Sequence, residues 1–286
     1  MSGQAGKGAR MPKGTARAMP HQPVEQTLFR LRVRYVKRGR LAYLGHLEVI
    51  HTIERIVRRA RLPFAVTQGF SPRMRAGFTS ALPVGTSSTC EYYDLFLTAL
   101  VRTDEALYRL RAASAEDLAP VEAGYVAVRA PALTADVTRV GYRVALEPGA
   151  GEPLDVPTLA RALDRVRGRG SIPYLRGRKE KSLDLDRTLA GAEVSPTPGG
   201  GAVIELDTRC GNDGALRPEI VLAAIDRDLT GSERPIESTG IQDLSFADRC
   251  HVERTSQLVE GADGTWADPL DRAARRATSE SAQFSR

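Results

Sequence analysis

The sequence predicts an α+β protein built from tandem ferredoxin-like (βαββαβ) domains, with disordered tails at both ends. Strand and helix periodicities in the first half follow the order β-α-β-β-α-β, and the second half repeats that order less clearly. Both ends of the chain are rich in small and polar residues. The predicted boundaries are a basic tail at 1–26, a first domain at 27–135, a second domain at 136–258 and a tail at 259–286.

Apolar spacing predicts the individual elements. Leu28–Tyr35 alternates apolar and charged side chains, which is typical of a strand with one buried face. From His46 to Arg61 the apolar residues recur at helical spacing. The rest of the first domain is predicted to contain strands at Phe78–Val84, Cys90–Thr98 and Val121–Arg129, and a helix from Thr103 to about Ala113. The second domain is predicted to contain strands at Tyr142–Leu146, Glu193–Pro196, Val203–Thr208 and Asp248–Arg254, extended pieces at Ile172–Leu175 and Leu183–Leu189, and helices at Val156–Arg167 and Pro218–Leu229.

Composition argues against several classes of protein. With 286 residues and 42% apolar content the chain can build a core, but no window approaches the roughly 18 apolar residues of a membrane span. The N-terminus has no apolar segment of the kind that secretory signals carry. Cys90, Cys210 and Cys250 are scattered and form no CxxC motif. We therefore expect a cytoplasmic protein that does not contact a membrane.

Charge is distributed unevenly along the chain. Residues 1–80 hold 16 lysines and arginines against three acidic residues, a net charge of +13. Without the tail, residues 27–80 still hold 12 basic and two acidic residues, a net charge of +10. Residues 81–286 hold 25 basic and 32 acidic residues. Because a positive front half attracts phosphate groups, we predict a functional surface between about Phe29 and Gly85. The alternative is that this charge serves solubility alone.

His46 is the candidate for acid–base chemistry. It follows Gly45, where a strand gives way to a helix, and helix N-termini bind anions. A neutral histidine there can act as a general base on a 2′-hydroxyl, with Lys37, Arg73 or Arg75 stabilising phosphate charge. The alternatives are that His46 binds a ligand without catalysing a reaction, or that it only caps its own helix.

The loop Gly69–Arg75 is the candidate for phosphate binding. Gly69 allows a positive φ, and Arg73 and Arg75 alternate, so in an extended segment both project to one side. Arginine forks suit bidentate contacts to phosphate. Phe70 either stacks on a base or, in the commoner role, anchors the loop in the core. The predicted phosphate- or RNA-binding set is Lys37, Arg38, Arg40, Gly69, Phe70, Ser71, Arg73 and Arg75.

The sequence lacks the motifs of metal sites, radical-SAM clusters, nucleotide-binding loops and serine hydrolases. His51 follows His46 by five residues, outside the i, i+4 spacing of two helical zinc ligands, so no metal site is expected. The chain has no CxxxCxxC for a radical-SAM cluster, no GxxxxGK[ST] and no GxSxG, and no cofactor is assigned. The helix arginines are expected on a solvent-exposed face, on the opposite side from a site on the sheet; they are Arg55, Arg58, Arg59 and Arg61.

Three stretches of the sequence resemble a known family. They are RVRYVKRGRLAYLGHLEVIHTIERIVRRARLP, TQGFSPRMRAGFTSALPVGTSSTCEYYDL and GALRPEIVL. Over roughly Leu28–Arg254 the chain is similar to the radical-SAM-linked bacterial domain of unknown function, the DUF2344 family. The resemblance implies association with a radical-SAM protein of the cobalamin-binding type, and no settled activity. The family tends towards Pro-His-Pro-Lys where this chain has Pro72-Arg73-Met74-Arg75, so the chain lacks a second histidine there.

Three functions follow from these observations. The leading hypothesis is an RNA-binding accessory module for RNA modification or processing, based on the basic segment, the arginine loop and the ferredoxin-like sheet. The first alternative is an RNA-processing or RNA-modifying enzyme that uses His46 as general base. The second alternative is a protein-docking subunit of a radical-SAM enzyme.

Overall fold

The computed structural model describes residues 27–149, 152–211, 214–238, 240, 243–261 and 263–271. The predicted tail at 1–26 and residues 272–286 lie outside these ranges. The described residues confirm a mixed α+β fold: they form a ten-stranded, mostly antiparallel sheet, a separate two-stranded sheet and helices that pack on the larger sheet. In these ranges no helix is long and apolar enough to cross a membrane.

The first half contains four strands and two long helices. They are β1 at Phe29–Lys37, α1 at His46–Arg59, β2 at Ala76–Phe78, β3 at Ser87–Leu97, α2 at Thr103–Ala113 and β4 at Pro120–Val126. A 3₁₀ helix at Gly39–Tyr43 precedes α1, and a short helix, α3, follows at Leu133–Asp136. Because β1 pairs with β3 and β4, and β2 pairs with β3, the strand order is β4-β1-β3-β2. The strand predicted at Phe78–Val84 ends at Phe78, since Leu82 packs into the core of the second half.

The second half has a similar core with an added hairpin. Its elements are β5 at Arg139–Glu147, α4 at Val156–Gly168, β6 at Ser171–Arg176, β7 at Lys179–Asp184, α5 at Leu185–Thr188, β8 at Leu189–Pro196, β9 at Ala202–Gly211, β10 at Gly214–Ala215, α6 at Pro218–Thr230, β11 at Arg249–Glu260 and β12 at Trp266–Ala267. Strands β8, β9, β5 and β11 lie side by side in that order. The extended piece predicted at Leu183–Leu189 is interrupted by α5, because the Asp184 carboxylate accepts the Arg187 backbone N–H and caps a helical turn.

Strands β3 and β11 join the two halves. They pair in parallel over a short stretch, with Glu253 opposite Ser87 and Arg254 opposite Ser88. The Arg254 side chain is buried at this seam and donates hydrogen bonds to the Glu91 carboxylate at 3.0 and 3.2 Å. A charge that leaves water needs such a partner, so this ion pair favours a fixed arrangement of the two halves.

Alternation along β1 defines two faces of the sheet. Leu31, Val33 and Tyr35 are buried against α1 and α2. Because neighbouring side chains of a strand point to opposite faces, Arg30 and Arg32 face away from the helices. Both arginines are nevertheless buried. The basic face of β1 is therefore part of the interior.

Asp94 neutralises these two arginines. Its carboxylate accepts hydrogen bonds from Arg30 at 2.6 and 3.0 Å and from Arg32 at 2.8 and 3.1 Å. The guanidinium groups also donate to backbone carbonyls, Arg30 to Pro131 at 2.8 Å and Arg32 to Pro269 at 3.2 Å. The cluster thereby holds two distant chain segments against the sheet.

These segments cover the face of the first half that lies opposite the helices. They comprise residues 127–136 and 263–271, and they bury Leu133 and Leu270 in a small core of their own. The second segment belongs to the region that the sequence assigns to a tail at 259–286. Residues 263–271 are instead packed against the sheet, because the Pro269 carbonyl accepts a hydrogen bond from Arg32 and Leu270 is buried in the small core.

We predict that Asp94→Ala lowers the free energy of unfolding by about 3–5 kcal/mol, because it leaves two buried guanidinium groups without a carboxylate. Urea unfolding followed by circular dichroism measures this change. The matched control is Glu205→Ala, which removes a half-exposed partner of Arg143 and should cost less than about 1 kcal/mol. Equal effects of the two substitutions would show that Asp94 is not the anchor of this face.

Candidate nucleic-acid interface

The loop predicted to bind phosphate is the tip of a hairpin at the edge of the sheet. Its first arm is tied to β3 where the Ala65 N–H donates to the Phe96 carbonyl at 2.7 Å, and its second where the Phe96 N–H donates to the Arg75 carbonyl at 3.1 Å. The arms pair with each other through the Thr67 N–H and the Arg73 carbonyl at 2.8 Å. We call residues 64–75 the edge hairpin.

Phe70 lies at the tip of the edge hairpin and is fully exposed. It does not anchor the loop in the core, which is the role that the sequence favours for it. Met74 contributes that anchor instead, since it is buried with the core of the first half. Gly69 has a φ of 137°, which only glycine adopts without strain, and Ser71 is exposed. An exposed phenylalanine in contact with water is available for stacking.

Arg73 and Arg75 flank the buried Met74 and are both exposed. The Arg75 guanidinium lies 4.3 Å from the centroid of the Phe96 ring, on the face opposite the helices. Since Arg73 precedes it by two residues in an extended arm, it projects towards the same side. Within the described ranges neither arginine has a carboxylate partner, so both can neutralise an external anion.

The C-terminal end of α1 brings three more arginines to the same end of the sheet. Arg58, Arg59 and Arg61 are exposed, and the Arg58 guanidinium lies 5.1 Å from the ring centroid of Phe64, the first residue of the edge hairpin. The helix arginines were expected on the opposite side from a site on the sheet. They lie on the helix side, but at the same end of the sheet as the hairpin, because only residues 60–63 separate the end of α1 from it. We call Arg58, Arg59, Arg61, Arg73 and Arg75 the basic end.

The other predicted cations lie at the opposite end of β1. Arg30 is level with Phe96 and hence with the hairpin, whereas Lys37 is level with Ser88. Seven residues of strand separate these two positions, which corresponds to roughly 23 Å. Lys37, Arg38 and Arg40 would stand beside the loop arginines if β1 paired with β2, the strand that follows the loop. They do not, because β3 rather than β2 is the neighbour of β1.

Lys37 is buried and bound to the backbone. Its ammonium group donates hydrogen bonds to the carbonyls of Ala42 at 2.6 Å and Thr86 at 3.4 Å. The pKa of Lys37 is lowered from 10.5 to about 8, because burial disfavours the charged form and the Arg254 charge adds to that effect, while Glu91 opposes it. The side chain therefore ties the 3₁₀ helix and the following loop to β1, and it does not reach a surface ligand.

Arg38 is ion-paired and Arg40 is not, within the described residues. The Arg38 guanidinium forms ion pairs with Glu116 at 2.7 Å and with Asp117 at 3.5 Å, which neutralise it. Arg40 is exposed and, within the described residues, has no carboxylate partner. It lies at the Lys37 end of the sheet, far from the basic end.

His46 is half-buried at the start of α1. Its ring packs edge-on against Phe78, with 6.3 Å between the ring centroids. Burial lowers the pKa of His46, Arg254 and Lys37 add to that effect, and Glu91 opposes it, so the imidazole is neutral at pH 7. A neutral imidazole can accept a proton, but it lies on the helix side of the sheet, whereas the Arg75 guanidinium lies on the other face.

The helix N-terminus beside His46 is also partly occupied. The Glu48 carboxylate accepts the Gly45 backbone N–H at 2.7 Å, so an acidic side chain already bonds at this terminus. A second anion there is disfavoured by the charge of Glu48. Among the described residues, no group of three or more His, Cys, Asp or Glu side chains is placed to hold a metal ion.

The fold pairs four of the 12 basic residues between positions 27 and 80 with acidic residues. Arg34 lies 3.6 Å from Glu122 and 3.8 Å from Asp268, and it adds to the paired Arg30, Arg32 and Arg38. All of these acidic partners come from beyond residue 80.

The sequence analysis also missed Tyr108 of α2, which is 71% exposed. The signal for it was available, because Tyr108 lies off the buried positions of that helix.

Comparisons with known proteins match a family model and a number of solved structures. The family model described as "Uncharacterized protein conserved in bacteria (DUF2344)" matches residues 30–218. A crystal structure of a Cbf5-Nop10-Gar1 complex matches 79% of this chain and 48% of that chain, with 11% sequence identity and a TM-score of 0.38. A structure of an H/ACA RNP bound to a substrate RNA containing 2′-deoxyuridine matches 79% and 47%, with 10% identity and a TM-score of 0.35.

The chain spans about half the length of these two solved chains. At such TM-scores the likeness carries no argument about fold or function. The comparison with curated proteins found no match.

We predict that Lys37 titrates near pH 8 in the folded protein, as followed by NMR of its side chain. The unfolded chain holds the proton up to about pH 10.5, so unfolding takes up a proton between these two pH values. The contribution of Lys37 to stability therefore rises with pH through this window. Relative to Lys37→Met, wild type should gain on the order of 2 kcal/mol between pH 8 and 10.5. A stability difference that is flat across the window contradicts the burial of this charge.

Proposed function

The chain belongs to the DUF2344 family, and we propose that it is a single-stranded RNA-binding accessory module that acts in RNA modification or processing. The observation that carries the proposal is the basic end together with Phe70. Five exposed arginines at this end of the sheet lack a carboxylate partner among the described residues, and a fully exposed aromatic ring lies at the tip of the hairpin that carries two of them. Surfaces that bind single strands combine cations that follow the backbone with aromatic side chains that stack on bases.

Physical chemistry favours this ligand over others. The planar guanidinium groups of Arg73 and Arg75 match phosphate oxygens, and a hydrophobic ring in water gains by stacking on a base. A double helix offers its phosphates without unstacked bases, so it makes no use of Phe70. Phe70 therefore favours a single strand.

The tandem ferredoxin-like architecture is part of the proposal. We assign the first unit to residues 27–135 and the second to 136–258. The support is the strand order, since β4-β1-β3-β2 in the first half has its counterpart in β11-β5-β9-β8 in the second. In each half two helices connect these strands in the same succession.

A double substitution of the loop arginines tests RNA binding. With single-stranded oligouridine, we expect Arg73→Ala/Arg75→Ala to weaken binding and to reduce the slope of log affinity against log salt by about 1.4, because two phosphate contacts are lost. Fluorescence anisotropy at several salt concentrations measures both quantities. The control is Arg38→Ala/Arg143→Ala, which makes the same change of charge at two ion-paired arginines and should leave the slope unchanged.

Phe70→Ala separates stacking from charge in the same assay. We expect a loss of roughly 5- to 150-fold in affinity with the salt slope unchanged, and retention of binding in Phe70→Trp. Wild-type protein that binds no RNA, or that binds it equally well after both the arginine and the Phe70 substitutions, would remove the proposed function.

An enzyme that uses His46 as general base has less support. The imidazole is neutral and half-buried, as a base requires, but it packs against Phe78 on the helix side of the sheet, whereas Arg75 lies on the other face. Lys37, the third expected partner, is bound to two backbone carbonyls. RNA bound at the basic end therefore leaves the histidine without its reaction partners.

A second function, docking of a protein, is favoured by a different surface. Tyr43 and Leu47 are 69% and 68% exposed at the start of α1, and Val84 is 51% exposed. The Tyr43 ring lies against Gly85, the residue that follows Val84, so Tyr43 and Val84 are neighbours. We propose the radical-SAM protein of the cobalamin-binding type, which the family resemblance implies, as the partner of this apolar patch.

Leu47→Asp tests the docking proposal without loss of fold, because an acidic residue is favourable in the first turn of a helix. We expect at least tenfold weaker binding to the purified radical-SAM protein, measured by calorimetry, with RNA binding retained. Leu100→Asp is the control, since Leu100 is similarly exposed at 65% and lies outside the patch. Unchanged binding after Leu47→Asp would exclude this surface.

A further inference from the structure

Arg61 has an unusual backbone conformation at the end of α1. Its φ is +52°, and within the described ranges it is the one residue other than glycine with a positive φ. The Leu62 N–H donates to the Val57 carbonyl at 3.4 Å, and the Arg61 N–H donates to the Arg58 carbonyl at 3.1 Å. This pair of bonds is the Schellman motif, which places Arg61 at the position where glycine is usual.

An arginine at this position needs an explanation. Side chains with a Cβ are disfavoured in the left-handed region, and glycine completes the same motif without strain. A cation at a helix C-terminus stabilises the helix dipole, but Arg58 and Arg59 already provide that in helical conformation. Backbone strain is typically retained where the side chain has a function.

Arg61 lines a groove between the C-terminal ends of α1 and α2. The groove has a volume of about 590 Å³, within the range of small-ligand sites. Small side chains lie along it, and its polar and aromatic groups are those of Arg59, Arg61, Tyr108 and Arg109. Arg109 is tied to Glu105 at 2.5 Å.

Two of the three guanidinium groups in the groove remain available. Arg59 and Arg61 have no carboxylate partner in the described part of the chain and are exposed, as is the Tyr108 ring. An anion can therefore be held by two planar forks beside an aromatic face. An apolar guest would leave both cations without a partner, and an anion without a ring would leave Tyr108 unused.

We infer that this groove is a binding site for a nucleoside phosphate, with the phosphate held by Arg59 and Arg61 and the base stacked on Tyr108. The inference rests on the proposed function in one respect, since the groove lies within the basic end and can receive one nucleotide of a bound RNA. A free mononucleotide carries the same phosphate and base and fits the same groove. The strained backbone of Arg61 directs its side chain for this role.

Titration with adenosine monophosphate, adenosine and inorganic phosphate, followed by NMR, tests the inference. We expect the monophosphate to bind at least tenfold more tightly than adenosine or phosphate alone. Arg61→Gly should weaken that binding at least tenfold while the urea midpoint of unfolding rises, because glycine relieves the positive φ. Tyr108→Ala should also weaken binding, and Tyr108→Phe should retain it.

Binding of the monophosphate by Arg61→Gly with wild-type affinity would overturn the inference, as would a wild-type protein that binds RNA but no mononucleotide. The second outcome leaves the proposed function in place. Conversely, Arg73→Ala/Arg75→Ala should lose RNA affinity and keep mononucleotide binding. A 5′-phosphorylated oligouridine that displaces the monophosphate identifies an RNA end as the ligand, whereas failure to displace it identifies a free nucleotide.

Discussion

The pairing of Asp94 with Arg30 and Arg32 is the interaction on which the rest of this structure depends. A guanidinium group that leaves water must find a carboxylate and further acceptors, or the fold loses several kcal/mol. Asp94 provides the carboxylate, and the segments at 127–136 and 263–271 provide backbone carbonyls. The sheet face opposite the helices is closed in the first half as a consequence. A surface that is basic in the sequence is thus used for packing.

The same constraint acts where the halves meet. Arg254 reaches across from the second half to Glu91. Burial lowers the pKa values of Lys37 and His46, the charge of Arg254 adds to that shift, and Glu91 opposes it. What remains for ligands in the first half is mainly the basic end, whose arginines have no carboxylate partner among the described residues. It lies where α1 ends and the edge hairpin begins, whereas Arg40 lies at the Lys37 end.

Sequence reasoning predicted local structure well and the spatial arrangement of the charged residues only in part. The alternation of Leu28–Tyr35 and the helical spacing after His46 identified β1 and α1, because both signals depend on near neighbours. The pairing of Arg32 with Asp94, 62 residues away, is set by strand register, which the sequence does not show. For the same reason the net charge of +10 in residues 27–80 overstated the available positive surface. The order of the strands likewise decided that Lys37 and Arg73 lie far apart.

Photo-crosslinking of the protein to single-stranded RNA, with identification of the crosslinked peptides by mass spectrometry, tests the central claim most directly. We expect the crosslinks to fall on Phe70 and neighbouring residues of the edge hairpin, since that fully exposed ring lies at the tip of the hairpin that carries Arg73 and Arg75. Crosslinks confined to Tyr43 or Trp266, which are exposed elsewhere on the molecule, would contradict it.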